Sequence, residues 1–178
     1  MKRVSPPSAA EGFDAFGGFW RVFPGAITTL EKNEAKMTQI KTHTTDLSLT
    51  TKGETDIVDI TEPVEEAVRS SGVREGQALV FAAGSTVGIT AVEYESGVLR
   101  DLREAFEKLA PRRGRYHHED AWHDGNGYAH VRSGLLGQSR VFPVRSGKLV
   151  RGTWQQIVLV DFDNRPRRRA VTVQVLGE

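Results

Sequence analysis

Four of the chain's five histidines fall in one short stretch, YHHEDAWHDGNGYAH (Tyr116–His130), beside Glu119, Asp120, Asp124 and Asn126. Imidazole, carboxylate and amide groups this close together can do two kinds of chemistry. Neutral imidazole nitrogens and carboxylate oxygens ligate divalent ions such as zinc, and a histidine near a carboxylate transfers protons close to neutral pH. His118, Asp124 and His130 are the groups for either role, with His123 a fourth if its loop folds inward. No metal motif of fixed spacing joins His118 to His130. His, Asp and Asn are also ordinary turn residues, so the stretch reads equally well as a solvated loop.

Other residues could complete such a site, each with a plainer alternative. Arg132 offers a planar, permanently charged fork for phosphate, or is a surface arginine. Gly84-Ser85-Thr86 could turn backbone N–H groups and hydroxyls toward an anion. It lacks the lysine and spacing of a P-loop, and a bend within a strand explains it too. Glu93 is either an acid–base group or a surface strand carboxylate. Ser139 and Gln155, at strand starts, could orient a ligand or be a strand-edge serine and a structural amide. Trp154 suits packing better than stacking on a ring. Arg165, Arg167, Arg168 and Arg169 make a short basic cluster without interleaved aromatics, which suits a solvated turn or subunit contact better than a nucleic-acid surface. The chain has no G-x-S-x-G elbow, Rossmann glycine fingerprint or zincin helix.

The elements that must position these residues are legible from periodicity. Thr-rich sequence from Gln39 to Thr51 predicts a half-buried strand, and Asp56–Ile60 continues in β fashion. Thr61-Glu62-Pro63 predicts a helix start with a capping hydroxyl, and Gly72 the stop. The apolar run Gln77–Ala83 predicts a central strand. Leu99, Leu102, Phe106 and Leu109 recur at helical spacing and predict a second helix, ending at Ala110-Pro111, with all four in the core. A short helix is expected over Ala129–Leu136 with Gly137 as its stop. Ser139–Val144 and Leu149 onward are expected to pair across an RSGK turn. Thr153–Phe162 and Arg169–Leu176 are expected to form a last hairpin around DNRPR, with Val171, Val173 and Val175 on its buried face.

Composition bounds the rest. At 178 residues the chain can hold one domain with a proper core. Twenty-four Lys and Arg against 23 Asp and Glu leave a net charge of +1, so no global field points to nucleic acid or membrane. The absence of cysteine excludes disulfides and thiol nucleophiles. No apolar run is long enough to span a bilayer and no signal-peptide pattern is evident, so the expected location is cytoplasmic. Residues 1–36 carry Pro, Gly and Ser with bulky aromatics but no periodicity. They are expected to be an N-terminal extension, flexible or packed by its aromatics, with Met37 a possible true start.

From Gln39 onward the chain resembles a known family. DGNGYAHVRSGLLGQS, then Pro143, then GKLVRGTWQQIVLVDFDNRPRRR resemble the signature of the YjbQ-like family, the so-called secondary thiamine-phosphate synthase enzymes. The resemblance implies a homotrimer with sites near subunit boundaries, and a transferase activity that joins an aminopyrimidine diphosphate to a thiazole phosphate. It places His118, Asp124, Asn126 and His130 on pocket positions and matches Glu93 to a family glutamate. A divalent ion, Mg or Zn, held by His118, Asp124 and His130 would be the cofactor, and a small phosphorylated metabolite the partner. Two positions depart from the pattern, since Gly84 and Tyr128 stand where the family often has histidine. A non-catalytic trimeric module that binds a metal or anion is the alternative. The fold expected is a single α+β domain over residues 37–178, a mostly antiparallel β-sandwich with two main helices.

Overall fold

The structure, a computed structural model, describes residues 39–178. The expectations for residues 1–36 lie outside the described residues. In chain order the elements are β1 (Lys41–Thr51), β2 (Asp56–Asp59), α1 (Thr61–Ser71), β3 (Gly76–Ala82), β4 (Val87–Val92), α2 (Ser96–Leu109), α3 (His118–Trp122), α4 (Gly127–Leu136), β5 (Ser139–Arg145), β6 (Lys148–Leu149), β7 (Gln156–Asp161) and β8 (Arg167–Gly177). They form two sheets, a five-stranded one in the order β1-β8-β3-β5-β6 and a three-stranded one in the order β2-β7-β4. Every pairing is antiparallel, so the expected α+β sandwich is what the chain forms.

The sandwich follows from period-2 patterning. Along β8, Val171, Val173 and Val175 point inward, and along β3 so do Ala78, Val80 and Ala82. They meet Ile89 of β4 and Ile157 and Leu159 of β7 in a core between the sheets, to which α1 adds Val64, Ala67 and Val68. The opposite residues of β7, Val158 and Val160, together with Phe162, pack beneath α2 and α4 against Phe106, Tyr128 and Ala129. β7 is therefore buried on both faces, which is why its sequence reads as a continuous apolar run.

Several expectations need correction. β7 and β8 are not a hairpin: they belong to different sheets, and the DNRPR segment carries the chain from one to the other. β8 instead pairs along its whole length with β1, whose alternating threonines and leucines match its register. β3 is central but faces outward on alternate residues, with Phe81 exposed. Ser146 and Gly147 both take positive φ, as a tight two-residue hairpin turn requires, but the partner of β5 across it is only the short β6, with two registered pairs. The α1 cap is not the Thr61 hydroxyl. Asp59 Oδ1 accepts from both the Thr61 backbone N–H and its hydroxyl, leaving that oxygen to accept from Ile157 N–H. Leu109 is 69% exposed because α2 lies on the sheet through Phe106, with Leu99 and Leu102 only part-buried, and its last turn overhangs.

On the outward face of the five-stranded sheet, Leu79 pairs across to Val141 and Gln174, while Leu176 pairs to Gln77 and Phe81 to Thr172. The centre of this face carries no charge.

Phe106 meets Phe162 edge-on with ring centroids 4.7 Å apart. Phe106→Ala is expected to cost about 3–5 kcal/mol in urea denaturation, whereas Leu109→Ala is expected to stay within about 0.5 kcal/mol of the parent.

Candidate functional site

The histidine-rich stretch is not a plain loop. It folds as α3, which His123 ends in the left-handed conformation at φ 53°, followed by a tight turn at Gly125 (φ 69°) into α4. Glu119 holds this turn together. Its two carboxylate oxygens accept from Gly125 N–H (2.7 Å) and Gly127 N–H (2.8 Å), so it caps the first turn of α4 from outside the helix. These two bonds hold the Glu119 carboxyl below its ordinary range. Gly127 has no room for a side chain: a Cβ there would lie 2.6 Å from that of Tyr116.

Helical spacing then divides the side chains. Asn126 and His130, four apart, face one side; Tyr128 and Arg132, also four apart, face the other. On the first side His118 packs against His130 with ring centroids 4.3 Å apart, and His118 Nε2 lies 3.3 Å from Asp124 Oδ1. Asn126 is 5% exposed, and its Oδ1, like His118 Nε2, is buried without a hydrogen-bond partner. Burial, and next the His118 charge, hold the His130 imidazole below its ordinary value, against the pull of Asp124, Asp163 and Glu119. His130 is thus neutral at physiological pH and able to accept a proton.

Opposite these groups stands a buried ionic network that sequence reading missed. Arg169 on β8 points inward and forks onto Asp161 of β7 (Nε 2.7 Å, Nη2 2.6 Å), and Thr51 Oγ1 donates to the same carboxylate. Arg169 Nη2 also donates to Thr86 Oγ1 (2.8 Å), which donates to Asp163 Oδ2 (3.1 Å). Arg167 Nε donates to Asp163 as well (2.8 Å). Burial works to raise the Asp163 carboxyl, but the bonds from Arg167 and Thr86 outweigh it and hold it below its ordinary range. Between the network and the histidines lies an open cleft of about 390 Å³, lined by Gly84, Ser85, Thr86, Asp124, Asn126, His130, Asp163 and Arg167–Arg169. The basic cluster divides: Arg169 is buried and structural, Arg167 is half-buried on Asp163 and lines the cleft, Arg168 has the opposite strand phase and lies exposed with its Nε on Ser48 Oγ, and Arg165 is exposed. Among the described residues the backbone N–H groups of Gly84, Ser85 and Thr86 hydrogen-bond to nothing.

The expected site residues separate into two groups. Ser85, Asp124, Asn126 and His130 line the cleft, with His118 behind them. Arg132 does not. It is 1% exposed beneath α2 and donates to Ala110 O, Thr55 Oγ1 and Glu107 Oε2, with its guanidinium 4.9 Å from the Tyr128 ring centroid. Four of its five N–H groups are engaged there, away from the cleft. Tyr128 belongs to this interior cluster, so it does not replace a cleft histidine. Glu93 and Gln155 lie beyond Val92 and Gln156, a registered pair at the far end of β4 and β7, roughly 20 Å from Thr86 at strand rise. Ser139 pairs with Phe81 on the outer sheet and is not a cleft residue. Trp154 is 70% exposed rather than packed, and His123 is exposed at the end of α3. Among the described residues no three His, Asp or Glu side chains are arranged to hold a metal ion. His118, Asp124 and His130 converge, but as a stacked pair with a flanking carboxylate and not as a ligand set.

The model of the UPF0047 protein YjbQ-like family matches residues 45–178, nearly all of the described fold. The chain belongs to that family. Relatives include a UPF0047 protein of Archaeoglobus fulgidus, 43% identical over 131 residues that cover 74% of this chain and 99% of that protein. The UPF0047 protein YugU of Bacillus subtilis is 33% identical, covering 74% and 97%. Among solved structures, a YbjQ-like protein of unknown function from Sulfolobus solfataricus superposes with a TM-score of 0.75 at 40% identity, covering 79% of this chain and all of that one. A hypothetical protein from Aeropyrum pernix gives 0.71 at 32%, covering 76% and 98%. Within this YjbQ-like fold the cleft is formed by the segments that carried the sequence resemblance, Asp124–His130 and Asp161–Arg169.

The depressed His130 has a measurable sign. Above pH 6.5 the imidazole is neutral folded and unfolded and contributes nothing. Below it the unfolded chain takes up the proton first, so stability falls with pH until folded His130 also protonates. Chemical denaturation from pH 7.5 to 5 is expected to show this decline, and His130→Asn to flatten it; carboxylate losses begin only lower.

Proposed function

We propose that this YjbQ-like protein is an enzyme that binds a small phosphorylated metabolite in the cleft, beside the neutral imidazole of His130. One observation carries the reading: free backbone N–H groups at Gly84–Thr86 and the Arg167 guanidinium share a cleft with a neutral histidine. Such groups are complementary to phosphate oxygens. The Arg169–Asp161 network fixes the wall they stand on, so little rearrangement is needed when an anion arrives.

The family resemblance suggests the reaction. In thiamine-phosphate synthesis the C–O bond to a diphosphate breaks, the thiazole nitrogen bonds to the pyrimidine methylene carbon, and pyrophosphate leaves. Arg167 and the turn N–H groups would stabilise the charge on the departing pyrophosphate, and Asp124 and Asn126 would orient the organic part. A binding module without turnover is the second reading, favoured by Gly84, which lines the cleft where the family often has histidine.

We further propose a homotrimer. The uncharged centre of the outer sheet face, with Phe81, Val141 and Leu176 exposed, has the composition of an interface core. Light scattering is expected to give three times the chain mass, and Val141→Arg to give monomer.

Isothermal titration is expected to show binding of inorganic phosphate and pyrophosphate, reduced about ten-fold or more by Arg167→Ala. Incubation with both thiamine precursors is expected to yield thiamine phosphate, and His130→Ala to lower that rate with binding retained. Phosphate binding without turnover leaves only the module; no binding removes both.

A further inference from the structure

The chain's one Asp-Gly pair and one Asn-Gly pair are consecutive, Asp124-Gly125 and Asn126-Gly127, and both Asp124 and Asn126 line the cleft. In such pairs the backbone most readily attacks its own side chain, because glycine leaves the amide nitrogen unshielded and free to rotate. Neither glycine is replaceable here. Gly125 takes φ 69°, and a Cβ on Gly127 would collide with Tyr116. The fold therefore builds its cleft on two linkages prone to rearrange. The nitrogens that would attack are those of Gly125 and Gly127, and one carboxylate holds both. Glu119 Oε2 accepts from Gly125 N–H at 2.7 Å, and its Oε1 accepts from Gly127 N–H at 2.8 Å.

We propose that Asp124 and Asn126 are latent sites of isoaspartate formation and that Glu119 guards both. In the unguarded reaction the Gly127 nitrogen gives up its proton and attacks Asn126 Cγ. An N–Cγ bond forms, the Cγ–Nδ2 bond breaks, and Nδ2 leaves as ammonia. Water then opens the succinimide at either carbonyl, giving aspartate or isoaspartate. At Asp124 the Gly125 nitrogen attacks the protonated carboxyl, one oxygen leaves as water, and water reopens the ring with no change of mass. Glu119 opposes both routes in two ways. Its charge disfavours an amide anion beside it, and it stays charged because the same two bonds hold its carboxyl below the ordinary range. It also pins the backbone. At ψ 15° for Asn126, the Gly127 nitrogen is turned away from the Cβ with which it must share a ring, so closure needs a rotation that breaks the bond to Oε1. Isoaspartate at 126 would put an extra methylene into the main chain where α4 begins and a carboxylate where the amide stands, so the guard preserves the cleft wall.

Full-length protein aged in mildly alkaline buffer and mapped by mass spectrometry, with fragmentation that tells isoaspartate from aspartate, tests this. A synthetic peptide spanning Tyr116–His130 supplies the unguarded rate. The parent is expected to deamidate at Asn126 about ten-fold or more slowly than the peptide, and Glu119→Gln, which removes the charge, about ten-fold or more faster than the parent. Asp120→Asn alters the next carboxylate of α3, which bonds to neither amide, and is expected to match the parent. Val64→Ala weakens the whole fold from the core between the sheets, without touching the turn, and is expected to match it too. A parent as fast as the peptide, or a folded Glu119→Gln variant at the parent's rate, overturns the guard. So does a faster reaction in Val64→Ala, because protection then belongs to global folding; this arm decides the matter should Glu119→Gln not fold.

Discussion

The Asp161–Arg169 pair is the constraint on which the rest of the site depends. A guanidinium that enters the space between two sheets must be met by a carboxylate and further acceptors, because an unpaired buried charge costs several kcal/mol. Here it meets Asp161 through two nitrogens and Thr86 through one, and Thr86 passes the link on to Asp163. The two sheets are thereby registered to each other at one end of the sandwich. The ends of β4, β7 and β8 converge there, and the segments that leave them are held within reach of α4. The cleft exists because the network closes the sandwich at this edge with polar atoms rather than with more valines.

The other half of the cleft is held by an independent device. α4 packs so closely on β4 that a Cβ at Gly88 would lie 2.7 Å from Leu136 Cδ2, and Ser133 Oγ donates to Val87 O. With the helix fixed in rotation, its four-residue spacing sends His130 to the cleft and Arg132 to the interior. A pair so close in sequence thus has unrelated tasks. Arg132 joins Glu107, Ala110 and Thr55, bracing α2 and the loop before β2, and its bond holds the Glu107 carboxyl below its ordinary range.

Much of the fold was legible because burial in it follows simple periods. Val171, Val173 and Val175 gave one face of β8, and Phe106 marked the seam of α2. The convergence of His118, Asp124 and His130 was also readable from their density near a turn. What periodicity could not supply was partnership across distance. Thr153–Phe162 and Arg169–Leu176 look like a hairpin because a short polar turn joins two strands, yet each strand finds longer and better matched neighbours elsewhere. A signal was present in the same segment: Asp161 and Asp163 alternate with period two, and so do Arg167 and Arg169. Two acidic and two basic residues in strand phase flanking one turn mark an ionic seam rather than a solvated loop. Arg132 was misplaced for the converse reason, since nothing local distinguishes an arginine that forks onto phosphate from one that forks onto carbonyls.

Glu119 has a consequence for how the recognition half of the cleft behaves over time. Gly125 belongs to a run of solvent-exposed residues with a composition typical of pliable connections, yet its amide and that of Gly127 are both tied to one carboxylate. Those two amides should exchange with deuterium far more slowly than that of their exposed neighbour Asp124, and at similar rates, since one opening event frees both. The segment then behaves as a hinged flap with a single latch. Any ligand that reaches Asn126 meets a surface shaped before its arrival.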